Sequence, residues 1–143
     1  MTDTALPPAP PVTAILESGL YVEDLPAARA FYGGVLGLEE IAHVEGRHAF
    51  YRVGGAILLI FNPNATEKGS SGGKLPVPTH GARGPGHLCF AASREEMQAW
   101  SARLTAAGHP IESAFEWPNG AYSIYFRDPA GNSLEFAEPR LWF

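Results

Sequence analysis

The sequence predicts an α+β fold in which two βαβββ modules pair into a curved, barrel-like mixed sheet with helices outside. Three observations lead to this prediction. The order strand, helix, strand, strand, strand occurs twice along the chain. A stretch rich in Gly, Pro, Ser and Lys, residues 63–86, separates the two copies. The first strand of each copy alternates between an apolar face and a more polar one, as expected for a sheet covered by a helix on one side only.

The first module is predicted to span residues 15–62. Its first strand covers residues 15–22, and Asp24 is a typical N-cap for the helix that follows. Gly37 ends this helix. Three short strands then follow, at residues 38–43, 48–53 and 56–61, and Gly54-Gly55 is expected to form a tight hairpin between the last two.

The second module, residues 87–138, repeats this order. A strand at residues 87–92 leads into a helix that begins with a capping box formed by Ser93 and Glu96. Gly108 stops the helix, and three strands follow at residues 109–116, 121–127 and 133–137. The last two strands are joined by the string Asp128-Pro129-Ala130-Gly131-Asn132, whose residue types favour a tight turn and therefore a β-hairpin.

Three segments lie outside the modules. Residues 1–14 contain a proline cluster and are predicted to be a disordered Pro-rich arm. Residues 63–86 are predicted to be a flexible linker or a lid, because so long a stretch without periodicity is uncommon inside a compact domain. Residues 139–143 form a C-terminal tail.

Composition excludes several classes of function. The 143 residues are 45% hydrophobic, and the net charge of −5 without a basic stripe argues against nucleic-acid binding. No apolar run approaches the roughly 18 residues that a membrane span needs, and residues 1–11 lack the features of a signal peptide. Cys89 is the single cysteine, so no internal disulfide can form, which fits a cytoplasmic location.

Three residues are candidates for chemistry. Glu17 and His87 open the first strands of the two modules, and Glu135 lies between Leu134 and Phe136 in the last strand. A carboxylate in so apolar a strand faces water, pairs with a cation or binds a metal, because burying it unpaired costs several kcal/mol. One imidazole and two carboxylates suit a divalent ion such as Mn, Fe, Ni, Co or Zn and leave positions open for a substrate. From the residues alone, Glu17 as an exposed acid and His87 as a core histidine remain alternatives.

The chain also resembles the vicinal oxygen chelate superfamily, which includes glyoxalase I, extradiol dioxygenases, fosfomycin resistance enzymes and bleomycin resistance proteins. The resemblance lies in three stretches: ESGLYVEDLPAARAFYGGVLGL at residues 17–38, GHLCFAA at 86–92 and YFRDPAGNSLEF at 125–136. It implies that Glu17, His87 and Glu135 are metal ligands. Glu17 departs from the family pattern, in which His or Gln is common at that place.

Two further comparisons follow from the resemblance. Glyoxalase I has a fourth ligand, a glutamate, at a place that corresponds to Leu58, so a four-ligand site is not expected here. The final hairpin, including Tyr125, resembles half of the extradiol dioxygenase signature, but the histidine expected near residues 116–118 is missing. The resemblance makes Glu17, Glu135 and Tyr125 the candidate catalytic residues, with a core aromatic role as the alternative for Tyr125.

The implied function is that of a divalent-metal-dependent enzyme that binds a small substrate through bidentate oxygen chelation and acts as a lyase, isomerase or transferase. One alternative is an extradiol-type ring-cleaving dioxygenase. Another is a metal-free ligand-binding protein of the bleomycin-resistance kind. The resemblance further implies a homodimer, in which Glu17 of one subunit meets His87 and Glu135 of the other.

Overall fold

The computed structural model describes residues 5–69 and 74–143 and shows an α+β fold built from two βαβββ modules. The first module has one helix, α1 (Leu25–Arg29), which continues as a π-helical segment (Ala30–Val35), and the second has the longer helix α3 (Arg94–Ala106). A short helix, α2 (Pro63–Thr66), follows the first module. The strands are β1 (Glu17–Tyr21), β2 (Glu39–Val44), β3 (His48–Val53), β4 (Ala56–Phe61), β5 (His87–Ala91), β6 (Ser113–Glu116), β7 (Tyr122–Arg127) and β8 (Ser133–Ala137).

Each module forms one four-stranded mixed sheet, and the two sheets have the same strand order. The first sheet is ordered β1-β4-β3-β2 and the second β5-β8-β7-β6. The first strand of each module pairs in parallel with the last one, while the other neighbours are antiparallel. The predicted duplication is therefore confirmed. Within the described residues the two sheets share no strand pairing, so they are separate sheets and not a closed barrel.

The helix starts form as their sequences indicate. The Asp24 side chain accepts a hydrogen bond from the Ala27 amide at 3.0 Å. Ser93 and Glu96 form the full capping box, with bonds of 3.1 and 2.8 Å. The π-helical segment was not predicted. It contains Gly33-Gly34, a pair of poor helix formers, and closes with a bond from the Leu36 amide to the Phe31 carbonyl.

Both modules contribute to one hydrophobic core. Alternate residues of the strands, such as Ile60 and Leu134, point into it and are fully buried, as are Phe31 from the π-helical segment and Leu104 from α3. The opposite face of each sheet is more open. The core therefore buries the helix-covered face of each sheet, and the opposite face remains open to a ligand or a partner.

A buried polar network joins the modules beside the core. The Tyr32 hydroxyl donates to Asp128 at 2.7 Å, and Asp128 also accepts from the backbone and side-chain amides of Asn132. The Asn132 side chain in turn donates to the Tyr21 carbonyl and accepts from the Gly86 amide. Asp128 also accepts from the amide two residues ahead, as predicted for this turn. The turn thus holds the second module against the first.

Some predicted boundaries are wrong. Strand β1 begins at Glu17, where its pairing with β4 starts, and not at residue 15. Strand β6 begins at Ser113 and not at 109, because His109 still closes the end of α3 through a bond from its amide to the Leu104 carbonyl. The segment 63–86 contains helix α2, capped by Asn62.

Two parts of the predicted connecting segments, residues 1–4 of the arm and 70–73 of the linker, lie outside the described residues. None of the helices in the described part of the chain combines the length and the hydropathy needed to cross a membrane.

Candidate functional site

Glu135 lies at the centre of the open face of the second sheet. Strand β8 runs between β5 and β7, which places Cys89 beside Glu135 on one side and Tyr125 on the other. Only 5% of Glu135 is exposed. Of the three predicted possibilities, exposure to water is therefore excluded, and pairing with a cation or metal binding remain.

His87 contacts Glu135 from the neighbouring strand. The His87 Nε2 atom lies 3.3 Å from Glu135 Oε1, while His87 Nδ1 lies 2.9 Å from the Ser133 carbonyl oxygen. Because a carbonyl oxygen only accepts, Nδ1 carries the proton in this pair, and in the neutral ring Nε2 keeps its lone pair. A histidine whose Nδ1–H is held by a carbonyl and whose Nε2 is free has the tautomer of a metal ligand. His87 is half exposed and is not a core histidine.

The second oxygen of Glu135 lacks a partner. Oε2 is buried and makes no hydrogen bond to the described residues. Buried polar atoms are nearly always satisfied, so an orphan in a candidate site points to a missing ligand. Two donors that each lie about 2.1 Å from one cation are separated by about 3.0–3.4 Å. The 3.3 Å between His87 Nε2 and Glu135 Oε1 falls in this range, so the pair fits a divalent cation in both distance and donor type.

Tyr125 and Cys89 border this carboxylate in protonated form. Burial, followed by the Glu135 carboxylate, raises the pKa of Tyr125 to about 12. Partial desolvation of the thiol, again followed by Glu135, raises the pKa of Cys89 to about 12. The Tyr125 ring also stacks beside His87, with ring centres 6.3 Å apart. Tyr125 therefore faces the candidate site as a neutral hydroxyl, and Cys89 is a poor nucleophile there.

Glu17 lies on the other sheet. It is exposed at the start of β1 and lines a cavity on the open face of the first sheet. In the described residues of a single chain, no group of three or more His, Cys, Asp or Glu side chains is placed to hold a metal ion. The chain thus brings two of the three predicted ligands together, and Glu17 is not with them in the same subunit.

Comparing the two sheets locates the residue of the first module that corresponds to Glu135. Glu17 pairs with Ile57 and Gly19 with Leu59, just as His87 pairs with Ser133 and Cys89 with Glu135. Leu59 therefore takes the place of Glu135 in the first module, whereas Leu58, to which the resemblance assigned the fourth-strand glutamate of glyoxalase I, lies one residue earlier. Leu58 points into the core and is 3% exposed. The consequence is unchanged, because leucine supplies no ligand at either position.

Sequence reasoning missed the cavity on the first sheet. Its volume is about 770 Å³, and its floor comes from β2, β3 and β4. Every second residue of β4, namely Ile57, Leu59 and Phe61, lies on the same face of the sheet as Glu17. The alternation of residues along β4 could therefore have predicted an apolar surface beside Glu17. Residues of the linker, including Leu75 and Val77, add a wall.

The place where an extradiol dioxygenase is expected to have a histidine contains Trp117. Its indole nitrogen donates a hydrogen bond to the Ser123 hydroxyl at 2.8 Å. Trp117 thus has a structural partner and offers no ligand atom.

The fold and the His87–Glu135 pair define the class: a two-module βαβββ protein with a candidate metal centre on one sheet. The family model of the Glyoxalase/Bleomycin resistance protein/Dioxygenase superfamily matches residues 13–136. The chain therefore belongs to this superfamily, as its sequence predicted. None of the curated proteins matches the chain significantly.

Solved structures resemble the chain over nearly its whole length. The crystal structure of lactoylglutathione lyase from Agrobacterium tumefaciens is 44% identical, with a TM-score of 0.86, and the match covers 92% of this chain and 98% of that one. A glyoxalase/bleomycin resistance protein/dioxygenase from Nocardioides is 24% identical, with a TM-score of 0.70 over 91% of this chain and 85% of that one. The second likeness concerns the fold alone.

Proposed function

We propose that the protein is a divalent-metal-dependent enzyme of the lyase or isomerase type, which acts on a small substrate with two neighbouring oxygens. The observation that carries this proposal is the His87–Glu135 pair, in which the imidazole Nε2 lies 3.3 Å from a carboxylate that is buried and only partly satisfied. In a purely structural ion pair, both carboxylate oxygens of Glu135 would be expected to have hydrogen-bond partners, whereas Oε2 has none among the described residues.

Glu17 completes the site from a second subunit. In a single chain its carboxylate is exposed on the open face of the first sheet, and the His87–Glu135 pair lies on the open face of the second. A two-fold homodimer that stacks the first sheet of one subunit against the second sheet of the other would join the three ligands twice. The dimer is part of the proposal, as is the cytoplasmic location.

The residues around the centre have separate roles in this proposal. The bound cation would act as a Lewis acid that stabilises negative charge on the substrate oxygens. His87 and Glu135 would hold it, while Tyr125, protonated at neutral pH, donates a hydrogen bond to a substrate oxygen. Glu17, the more exposed carboxylate, is the candidate base that would move a proton next to a carbonyl while it is transiently off the metal.

The substrate to test first is lactoylglutathione, because lactoylglutathione lyase from Agrobacterium tumefaciens is 44% identical to this chain. Leu59 marks a difference from the four-ligand site of glyoxalase I described above. A three-ligand site leaves one more coordination position for substrate or water.

Metal content tests the proposal. Wild-type protein purified without chelator is expected to contain about one divalent ion per chain, since each subunit supplies each ligand once. His87→Ala and Glu135→Ala are expected to lose it without losing the fold. His43→Ala, which removes an exposed histidine of β2, is the matched control and should keep the metal. Full occupancy in either site variant contradicts the assignment.

The cavity on the first sheet favours a second candidate function, a metal-free ligand-binding protein. The cavity exists in the single chain and needs no metal to form. This function predicts purified protein without metal and ligand binding that is unchanged by His87→Ala. The ring-cleaving dioxygenase has no comparable support, because Trp117 offers no ligand; oxygen uptake on catechols by iron-loaded protein would reverse that ranking.

A further inference from the structure

The cavity on the open face of the first sheet, called here the first-sheet cavity, is apolar. Its volume of about 770 Å³ is in the range of small-molecule sites. Most of its lining consists of aliphatic or phenylalanine side chains. The floor is formed by Ile41, Phe50, Ile57, Leu59 and Phe61.

The duplication shows that this apolar character is specific to one sheet. The open face of the second sheet bears polar groups at the places where the first sheet bears apolar ones. The corresponding pairs are Leu59 and Glu135, Ile57 and Ser133, and Phe50 and Tyr125. The second sheet therefore supplies the candidate metal ligands, and the first supplies apolar surface beside a single carboxylate, Glu17.

Ionisable side chains also line the cavity, beside its apolar floor. Arg47 donates to the carbonyls of Ala65 and Gly69 and so fastens the segment after β4. Burial lowers the pKa of His48, so this imidazole is neutral at neutral pH, and it stacks on Phe50 with ring centres 4.0 Å apart. Lys74 and Glu17, of opposite sign, also line the cavity, as does His80.

The linker makes this face a cavity and not a flat surface. His80 Nδ1 lies 2.7 Å from the Tyr21 hydroxyl, and the His80 amide donates to the Thr66 carbonyl at 3.2 Å. These bonds hold the linker at the edge of the sheet, where Leu75 and Val77 remain 70% and 50% exposed. Apolar side chains that line a cavity and stay exposed can still bury surface against a ligand.

We propose that the first-sheet cavity binds an uncharged apolar group of the substrate, aromatic or branched aliphatic, that is attached to the two metal-chelating oxygens. This inference rests on the proposed function and deepens it, since Glu17 belongs to both the cavity and the candidate metal site. The substrate class is then a 2-oxo or 2-hydroxy compound with a bulky apolar substituent.

Two small chelators that differ only in their apolar part test the proposal. Acetohydroxamate and benzohydroxamate offer the same pair of oxygens but a methyl or a phenyl group. With Mn²⁺-loaded full-length protein, benzohydroxamate is expected to bind at least about tenfold more tightly, because the phenyl group buries more apolar surface. Equal affinities, or tighter binding of acetohydroxamate than of benzohydroxamate, overturn the proposal.

A matched pair of leucine variants locates the effect. Leu75→Ser changes a cavity residue, and Leu6→Ser changes a leucine of the arm that is 89% exposed and does not line the cavity. Both leucines are exposed, so neither change should affect folding. Leu75→Ser is expected to weaken benzohydroxamate binding about threefold or more and to leave acetohydroxamate binding unchanged. An equal loss in both variants, or none in Leu75→Ser, contradicts the cavity assignment.

Repeating the titrations after removal of the metal with EDTA separates this proposal from the proposed function. A preference for benzohydroxamate that survives EDTA and depends on Leu75 supports the cavity even if metal dependence fails. If EDTA abolishes binding of both hydroxamates, and the Mn²⁺ form still prefers benzohydroxamate, the result supports both the cavity proposal and the metal-dependent function. Binding of neither compound in either state overturns the cavity proposal.

Discussion

Replacing Glu135 with leucine should stabilise the metal-free protein while abolishing metal binding. Glu135 is 5% exposed, and its Oε2 atom has no partner among the described residues. An unsatisfied buried polar group costs about 1–3 kcal/mol, and a charged one more. Leucine already occupies the corresponding place of the first sheet, at Leu59, so the side chain suits this type of position. We expect the free energy of unfolding of metal-free Glu135→Leu to rise by about 1–3 kcal/mol, or the Tm by roughly 3–10 °C.

Metal should reverse this ranking. A cation present at a hundred times its Kd stabilises the wild-type protein by about 2.7 kcal/mol, whereas Glu135→Leu has lost one of its ligands and gains little. Thermal unfolding of both proteins with EDTA and with Mn²⁺ measures the two differences. Glu45→Leu, which removes an exposed carboxylate in the turn after β2, is the matched control and should change little in either condition.

Two results would refute this reasoning. If metal-free Glu135→Leu is less stable than the wild type, the carboxylate stabilises the fold and is not an unsatisfied group retained for metal binding. If Mn²⁺ stabilises both proteins equally, the ion binds elsewhere. The expected pattern is that of a functional group retained at a cost in stability.

Three further predictions concern the surroundings of the site. Asn132→Ala removes the hydrogen bonds to Asp128 and to the Tyr21 carbonyl from a residue that is 2% exposed, and urea unfolding should show a loss of about 2–4 kcal/mol; a loss below about 1 kcal/mol contradicts the role of this network. Ser93→Ala removes half of the capping box and should cost about 1 kcal/mol in the same assay, and no change would argue against the cap. The raised pKa of Cys89, about 12, predicts that iodoacetamide alkylation at pH 8 is much slower in native than in urea-unfolded protein and accelerates as pH rises towards 12. Equal rates at pH 8 would contradict that shift.

Local chemistry made much of the fold predictable from the sequence. The strands β3 (His48–Val53) and β8 (Ser133–Ala137) have their predicted bounds, because apolar alternation and turn residues act over a few positions. The caps at Asp24 and Ser93 formed for the same reason. The π-helical segment was not predictable from apolar spacing, which is similar for α and π turns over so short a stretch.

The candidate site was harder to predict, because it depends on contacts between distant strands. Pairing of β5 with β8 brings His87 to Glu135 across 48 residues, a contact that the family resemblance implied and residue spacing alone did not. Leu58 lies one residue from the counterpart of Glu135, and in a strand a shift of one residue moves a side chain to the opposite face of the sheet. The first-sheet cavity was missed because its linker wall follows no periodicity.

Mixing two inactive variants tests the central claim most directly, namely that Glu17 of one subunit joins His87 and Glu135 of the other around one cation. Glu17→Ala and His87→Ala subunits are unfolded together, refolded and analysed for bound divalent metal. Random pairing gives mixed dimers in which one of two sites is intact, so about one quarter of the wild-type metal content should return. A mixture that binds no more metal than the separate variants would contradict the shared centre.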